Sequence, residues 1–466
     1  MDPDGLLTVR DGHLCFDGVD LAAAAGRLET PFYVYSERRL RANAAALLDG
    51  FGARHPDTEI FFASKACSNL WFLHVVRDAG LSVEVNSGGE LAKALRVGFA
   101  PRQIVFNGVA KTEAEIAAAV GAGVRAILAD SLFELERVAL VAARLQKAAA
   151  VAPRVDVHVP TLTHPGLETA HGGKAGIDRD DAVTAFRRAA DDPWLTPVGL
   201  HLHIGSQITS VEPYRQAVAT ALDIVEEVEQ AAAVRLEFLD AGGGFAVPYR
   251  EPLAADASGS AGPVGSAASP ADYFSSTLVI DDYAAAICDV LEARRPDLTL
   301  FLEPGRSVAA TTGVLVTRVE NVKTKKVRGA GGEVTGAEDW LTIDAGYNTL
   351  LDHVNFAWYF RSIVAGRASE PATTPFRLAG PLCDGGDVFI GDDDTPYRRY
   401  PAGTGAGDVV VFLEAGGYTL ETMNEYNARP RAAAYAATPD GGLAQIRRRE
   451  TDADLAAFDL TPGFET

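Results

Sequence analysis

Residues 61–66 read Phe61-Phe62-Ala63-Ser64-Lys65-Ala66, an apolar run that ends at a lysine. The β-prone residues predict a buried strand, and the helix-leaning sequence after them puts Lys65 at its carboxyl end. A lysine there is costly to desolvate unless it is paired, neutral or used covalently. A lone lysine after a strand usually keeps its charged head in water. The alternative is an amine made nucleophilic by its surroundings, which condenses with a carbonyl.

Strand and helix patterns alternate from about residue 31 to about residue 310. The predicted strands are short β-prone runs: the one ending at Lys65, Ser82–Val85, Gln103–Phe106, Ala126–Leu128, Val155–Val159, Pro197–His203, Phe238–Asp240 and Thr299–Leu302. Helical patterns such as Glu37–Asp49 and Pro213–Gln230 lie between them. About eight such repeats over about 250 residues favour a parallel (β/α)8 barrel of the TIM type over an open doubly wound sheet.

The regions on either side of this barrel, residues 31–310, differ from it. Residues 1–30 hold short β-like pieces that we expect to join the C-terminal domain. Residues 311–450 read as strands separated by Gly/Asp/Pro turns, which predicts an all-β domain, a sandwich or small barrel. Residues 451–466 are expected to be a loosely held tail. Inside the barrel, Ala254–Ala271 is rich in Ala, Ser, Gly and Pro, and we expect a flexible insertion.

Composition and charge narrow the class of protein. The 466 residues carry a net charge of −21, from 42 basic and 63 acidic residues, which argues against nucleic-acid and anionic-membrane partners. The four cysteines are far apart and form no CxxC pair, so a reducing cytoplasm is expected. The acidic first residues give no sign of a signal peptide, and no stretch is long and apolar enough to span a membrane.

Three motifs follow predicted barrel strands, and the carboxyl ends of barrel strands form the active site in this fold. They are His201-Leu202-His203-Ile204-Gly205-Ser206-Gln207, Gly242-Gly243-Gly244 and Glu303-Pro304-Gly305-Arg306. Consecutive glycines let backbone N–H groups cradle a phosphate. Taken singly, each motif also fits a core histidine, a flexible turn or a structural ion pair. The histidines lack further ligands at suitable spacing, so no metal site is expected.

The predicted β domain contributes three more motifs. They are Cys383-Asp384-Gly385-Gly386-Asp387, Gly416-Gly417-Tyr418 and Tyr426-Asn427-Ala428-Arg429-Pro430-Arg431. Each alone is compatible with a turn. A lysine, a histidine, a glycine run, a carboxylate, a cysteine and a tyrosine in this order are much harder to explain by turns alone.

This combination resembles the fold-type III pyridoxal-phosphate decarboxylases, the group of diaminopimelate, ornithine and arginine decarboxylases. The resemblance runs from about residue 30 to about residue 435. It is closest to the diaminopimelate branch, through the motifs ASKA, NSGGEL, HIGSQ, GGG, EPGR, CDGGD and YNxRPR. It implies a cytoplasmic homodimer with shared active sites and pyridoxal 5'-phosphate as cofactor.

The resemblance also implies roles for individual residues. Lys65 would hold the cofactor covalently, His203 would stack on its ring, and Glu303 would pair with the pyridine nitrogen. Cys383 of the neighbouring subunit would serve protonation, and Glu90 would lie close to the reacting groups. The residues expected at the cofactor phosphate are Ser206, Gly243, Gly244, Gly305, Arg306 and Tyr418.

The expected reaction is loss of carbon dioxide, because the cofactor ring accepts the electron pair that decarboxylation leaves. A carboxylate at the pyridine nitrogen keeps that nitrogen protonated. A barrel racemase of similar design has an arginine there instead, so Glu303 favours a decarboxylase. A decarboxylase-like binding protein that has lost catalysis would be expected to lack these cofactor residues.

The stretch after Asp344-Ala345-Gly346 departs from the diaminopimelate branch. Diaminopimelate decarboxylases continue to an Arg-Pro pair that grips the substrate's distal carboxylate, whereas Asp352-His353 stands there in this chain. Asp352, together with Tyr347 and Asp384, resembles the acidic motif with which ornithine decarboxylases bind the distal amine of their substrate. We therefore expect a basic amino acid as substrate, ornithine, lysine or arginine, of L or D configuration.

Alternatives remain open for the substrate. These are diaminopimelate itself, if Asp352 only caps a turn, or a larger amino-acid conjugate in siderophore or antibiotic biosynthesis. A second departure lies at Val157–Pro160, where the family usually has Arg-x-Asn-Pro. It puts one cofactor-side contact in doubt.

Overall fold

The structure is a computed structural model that describes residues 5–161, 163–169, 173–250, 274–392 and 395–460. It divides into two compact units, Leu40–Ala309 and the combination of Met1–Arg39 with Ala310–Thr466. The expected insertion Ala254–Ala271 and the end of the expected tail lie outside the described residues. Among the described helices, none combines the length and apolar character needed to cross a membrane.

The first unit is a closed parallel barrel, as predicted. Leu195–Pro197 pairs with one neighbouring strand and Gly199–His201 with the other, so the two are halves of one interrupted strand. A further parallel bridge joins Arg154 to His201 across the closure. The other seven strands are Thr58–Ala63, Ser82–Val85, Ile104–Phe106, Ala126–Ala129, Ala149–Pro153, Phe238–Asp240 and Thr299–Leu302. This confirms the (β/α)8 architecture.

Helices alternate with these strands, and side-chain caps fix where several begin. Ser87, Thr112 and Ser131 each accept a hydrogen bond from the backbone N–H three residues ahead, at 3.2, 3.3 and 3.1 Å. Such caps satisfy N–H groups that a helix leaves unpaired. The described helices that accompany the barrel strands are Glu37–Gly52, Leu70–Asp78, Gly88–Val97, Glu113–Ala122, Leu132–Leu145, Ala182–Asp191, Glu212–Ala232, Ile280–Arg294 and Arg306–Ala309.

An aromatic floor, formed by Phe61, Phe238 and Phe301, fills the barrel interior below the strand ends. The rings of Phe238 and Phe301 stack at 4.0 Å, and Phe61 lies 4.7 Å from Phe301. All three are fully buried. A Cβ on Gly199 would lie 2.4 Å from the Phe238 ring, so glycine makes room for the stack.

The second unit consists mainly of β-strands. Phe32–Tyr35 pairs with residues 313–316 and with residues 433–436, inside the main sheet of this unit. Sequence analysis assigned this strand to the barrel by starting that domain at residue 31. The strand is fully buried and apolar, a pattern that suits a barrel strand equally well.

The strands of this second unit also run longer than predicted. The sequence predicts Gly313–Glu320, whereas the strand extends over Gly313–Arg328 and pairs with Val334–Ile343. Its distal half is exposed and polar, so it lacks the apolar alternation that marks a strand. The remaining strands are Leu7–Arg10, His13–Phe16, Val19–Asp20, Ser362–Val364, Ala372–Ala379, Arg398–Pro401, Val409–Phe412, Ala433–Ala437 and Leu443–Arg447.

Candidate active site

Lys65 lies at the carboxyl end of the first barrel strand. It belongs to the 3-10 turn Ser64–Ala66, which directly follows Thr58–Ala63. Its Nζ is 3.8 Å from Oε1 of Glu84, a fully buried carboxyl, and 40% of the Lys65 side chain is exposed. The amine is therefore partly exposed at the barrel mouth, with a buried carboxyl group close to it.

Glu90 fixes the turn that carries Lys65. Its Oε2 accepts hydrogen bonds from the Ser64 hydroxyl and from the Asn86 backbone N–H, both at 2.7 Å. Glu90 was predicted to lie close to the reacting groups, and in the structure it bridges the ends of two adjacent barrel strands.

Glu303 belongs to a buried cluster of acids in the barrel mouth. Its Oε2 accepts from Asn107 Nδ2 at 3.3 Å and lies 3.2 Å from His201 Nε2. One donor atom each from His201, Asp240 and Glu303 lies within 4.8 Å of the others. By donor type this trio could hold a metal ion, a grouping that the sequence analysis did not anticipate.

Burial dominates the protonation of these acids. It raises the pKa of Glu303 and of Glu84, although the positive charge of Lys65 opposes both shifts. Burial and then the negative charge of Glu303 raise the pKa of Asp240 well above its usual value. Among the described residues, no donor reaches Oε1 of Glu84, Oδ2 of Asp240 or Oε1 of Glu303. The cluster therefore favours a bound proton or a cationic group.

His203 presents a neutral imidazole at the same mouth. Burial lowers its pKa well below the usual value, and the charge of Lys65 lowers it further. The Gly243 backbone N–H donates to its Nδ1 at 3.3 Å, so the ring proton belongs on Nε2.

Two glycines and two polar side chains line the next strand ends. A Cβ on Gly243 would lie 2.2 Å from the Glu303 carbonyl oxygen, and one on Gly244 would lie 2.3 Å from that of Gly205. Arg306 Nε donates to the Ser206 hydroxyl at 3.3 Å. Gly305 accepts from the Ala309 N–H at 3.0 Å, which starts the turn that carries Arg306. The predicted phosphate residues of the barrel thus lie together.

Two threonines that sequence analysis missed hold this loop. Thr169 donates its hydroxyl to the His203 carbonyl at 2.9 Å, and Thr163 donates to the carbonyls of Ser206 and Gln207. Their location in an irregular segment, which contains the short turn Pro165–Leu167, gave no periodicity to reveal them.

Glu84, Asp240 and Arg154 were also missed as site residues. Glu84 lies within the strand Ser82–Val85, and Asp240 is the last residue of the strand Phe238–Asp240. An acid in a buried strand is a feature that could have identified both. Arg154 follows the strand Ala149–Pro153 and is buried. Its positive charge partly opposes the rise that burial causes in the pKa of Glu303. It lies three residues before Val157–Pro160, so a barrel arginine is present although that segment lacks one.

The remaining predicted residues lie in the β unit. The Tyr347 hydroxyl donates to Asp384 Oδ2 at 3.1 Å. Cys383 is exposed, and its N–H donates to Asn427 Oδ1 at 2.7 Å. Tyr418 has a positive φ of 59°. Asp352 is buried at the start of the short helix Asp352–Asn355, so it and the exposed Asp384 have different surroundings.

Known proteins match this chain over nearly its whole length. Residues 38–310 match the family described as pyridoxal-dependent decarboxylase, pyridoxal binding domain. The diaminopimelate decarboxylase of Pseudomonas aeruginosa is 35% identical, covering 96% of this chain and 97% of that protein. That of Archaeoglobus fulgidus is 31% identical, covering 97% of each. The diaminopimelate decarboxylase of M. jannaschii in complex with L-lysine superposes with a TM-score of 0.83, at 30% identity and 99% coverage of each chain.

The barrel residues fit pyridoxal phosphate. Lys65 offers an amine for its aldehyde, and the donor-free oxygen of Glu303 suits a protonated ring nitrogen. Gly243 and Gly244 pack against the carbonyl groups of Glu303 and Gly205. The neighbouring Arg306 guanidinium and Ser206 hydroxyl are donors of the kind that bind a phosphate. The chain thus belongs to the family of pyridoxal-phosphate-dependent amino-acid decarboxylases, as the motifs predicted.

Proposed function

We propose that this decarboxylase acts on an amino acid with a distal amine, such as ornithine, lysine or arginine. The feature that carries the proposal is Asp352, a buried acid at or next to the place where the resemblance to diaminopimelate decarboxylases implies a substrate-gripping arginine. Its charge contributes, after burial, to raising the pKa of Tyr33. A carboxylate there attracts a distal ammonium and repels a distal carboxylate.

Asp384 and Tyr347 support the same reading. Asp384 is exposed and accepts the Tyr347 hydroxyl at 3.1 Å. The Tyr347 ring lies 5.4 Å from that of Tyr426. An acid that accepts from one member of an aromatic pair suits an alkylammonium group.

The barrel residues supply binding and proton control. When bound, pyridoxal phosphate accepts the electron pair that the leaving carboxylate leaves behind. Lys65 would hold it, and Arg306 and Ser206 would bind its phosphate. Because Asp240 and Glu303 are buried together, they favour a proton at the position of the ring nitrogen. The neutral His203 offers a flat face without adding charge.

We also propose a homodimer in the cytoplasm in which Cys383 of one subunit serves the Lys65 site of the other. The exposed thiol of Cys383 supports this arrangement, and four free cysteines suit a reducing compartment. Co-expressing Lys65→Ala with Cys383→Ala tests it. Heterodimers would hold one intact site, so about a quarter of wild-type activity should return. If the co-expressed protein were no more active than the two inactive single variants added together, the shared sites would be refuted.

Two other substrates have specific support. The named relatives are diaminopimelate decarboxylases at 31–35% identity, which favours diaminopimelate. The exposure of Cys383 and Asp384 would admit a larger amino-acid conjugate.

Carbon dioxide release from L- and D-ornithine, lysine and arginine and from meso-diaminopimelate distinguishes these substrates. We expect a basic amino acid to be turned over and diaminopimelate not. Asp352→Asn should lose that preference, whereas Asp339→Asn, on the exposed hairpin, should keep it. Turnover of diaminopimelate alone would overturn the proposal. Turnover of conjugates only would favour the biosynthetic alternative.

A further inference from the structure

Asp387 is a buried carboxylate that joins two loops of the β unit. It is 2% exposed. Its Oδ1 accepts the backbone N–H of Tyr347 at 2.9 Å, and its Oδ2 accepts that of Leu382 at 3.0 Å. One loop carries Tyr347 and Asp352, and the other carries Cys383 and Asp384.

The backbone leaves room for this carboxylate through two glycines. A Cβ on Gly346 would lie 2.3 Å from an Asp387 oxygen, and one on Gly380 would lie 2.2 Å from it. Real Cβ atoms do not approach so closely, so any side chain at either position would displace the carboxylate.

His353 completes the junction. Its Nε2 lies 3.2 Å from Asp387 Oδ1, and its ring stacks on Phe389 with centroids 4.0 Å apart. Burial lowers the pKa of His353, so a neutral ring donates from Nε2. His353 directly follows Asp352, so its hold on Asp387 also restrains the start of the helix Asp352–Asn355.

We infer that Asp387 and His353 are positioning residues that fix the two candidate substrate loops relative to each other and thereby set substrate discrimination. The inference rests on the proposed function, because it takes Tyr347, Asp352 and Asp384 as substrate-reading residues. A carboxylate is required because both of its oxygens accept. An amide would present an NH2 group to one of the two N–H donors and release that loop.

The test compares Asp387→Asn and His353→Gln with wild-type holoenzyme. The matched control is Asp408→Asn, since Asp408 also accepts a backbone N–H, from Gly405 at 2.8 Å, in another turn of the same unit. The first readout is the rate at which iodoacetamide labels Cys383, the exposed thiol, with Cys383→Ser to assign the signal. The second is the ratio of kcat/KM for the preferred substrate to that for a homologue one methylene longer.

We expect Asp387→Asn to change the labelling rate several-fold and to reduce discrimination about tenfold, the loss expected for one buried hydrogen bond. His353→Gln should shift both readouts in the same direction by less, and it carries the test if Asp387→Asn does not fold. The cofactor absorbance of both variants should equal that of wild type. The control Asp408→Asn should give the wild-type labelling rate and the wild-type discrimination. Unchanged labelling and discrimination in both variants would overturn the inference. Labelling is independent of the substrate, so a changed rate together with diaminopimelate turnover would support positioning while refuting the proposed substrate.

Discussion

The barrel and the β unit hold their candidate residues by different means. Lys65, Asp240 and Glu303 lie at the carboxyl ends of neighbouring strands of a closed sheet, where backbone pairing holds the strands in place. Asp352 and Asp384 lie on loops that one carboxylate, Asp387, ties together. Rigid elements suit chemistry that is common to a family, and loops suit features that vary between its members. Barrel variants should therefore affect the cofactor, and loop variants the choice of substrate.

The largest effect is expected for Lys65→Ala. Removing the amine that would hold the cofactor should lower decarboxylation by about 10³-fold or more. The variant should also lose cofactor absorbance on gel filtration. Lys147→Ala is the control, because Lys147 is exposed and donates to the Gly121 carbonyl. Retention of covalently bound cofactor by Lys65→Ala would contradict the assignment.

Asp352→Asn should affect the substrate and not the cofactor. Loss of a buried charge that faces an ammonium costs about 2 kcal/mol or more, which is about 30-fold in kcat/KM for the basic substrate. Steady-state kinetics measure this loss, and the absorbance of bound cofactor should not change. If the cofactor content of Asp352→Asn fell as well, the assignment of cofactor binding to the barrel and of substrate choice to the loops would be contradicted.

Glu84→Gln tests the buried acids through the pH dependence of stability. The raised pKa of Glu84 means that the unfolded chain releases this proton at a lower pH than the folded one, so wild-type stability falls as pH rises through that window. Relative to wild type, cofactor-free Glu84→Gln should gain about 1–3 kcal/mol between pH 5 and pH 8. Urea unfolding measures this difference, and the exposed Glu136→Gln should show none.

The smallest effect is expected for Thr163→Val. The lost hydroxyl leaves the carbonyls of Ser206 and Gln207 without that donor, which should weaken cofactor binding about fivefold, or about 1 kcal/mol. Equilibrium titration with pyridoxal phosphate measures the dissociation constant. Thr163→Ser should restore it, and Thr184→Val, on an exposed helix face, should leave it unchanged. If Thr163→Val changed only the substrate preference, Thr163 would act on substrate choice, as the loops of the β unit are proposed to do, and not on cofactor binding.

Most barrel strands could be predicted from the sequence because each is a short apolar run that ends at a polar or charged residue. The prediction of Val155–Val159 was wrong, because the barrel strand in that region is Ala149–Pro153. Lys65, His203 and Glu303 were predicted in this way, and the structure places each of them just after a barrel strand. Arg154 was missed because it precedes Val157–Pro160, the segment in which an arginine was expected. Phe32–Tyr35 was given to the wrong unit because a fully buried strand looks the same in either sheet.

The loops were harder to predict, since their order depends on distant backbone groups. Asp387 belongs to the motif Cys383–Asp387, but its partners Tyr347 and Leu382 bind it through backbone N–H groups. Such contacts do not depend on residue type, so the sequence does not predict them. The prediction that Asp352 and Asp384 read one substrate group stays a prediction. A sequence does not say which acid is buried and which is exposed.

The aromatic floor has a consequence for engineering. Because side chains alternate along a strand, Asp240 stands directly above Phe238 and Glu303 above Phe301. The three buried rings form an apolar layer of low dielectric constant that keeps water away from this side of the acids. Replacing one of them with a smaller residue would admit solvent and let the acids release protons more easily. Substitutions in the aromatic floor would thus change the acidity of the site without altering Lys65, Asp240 or Glu303.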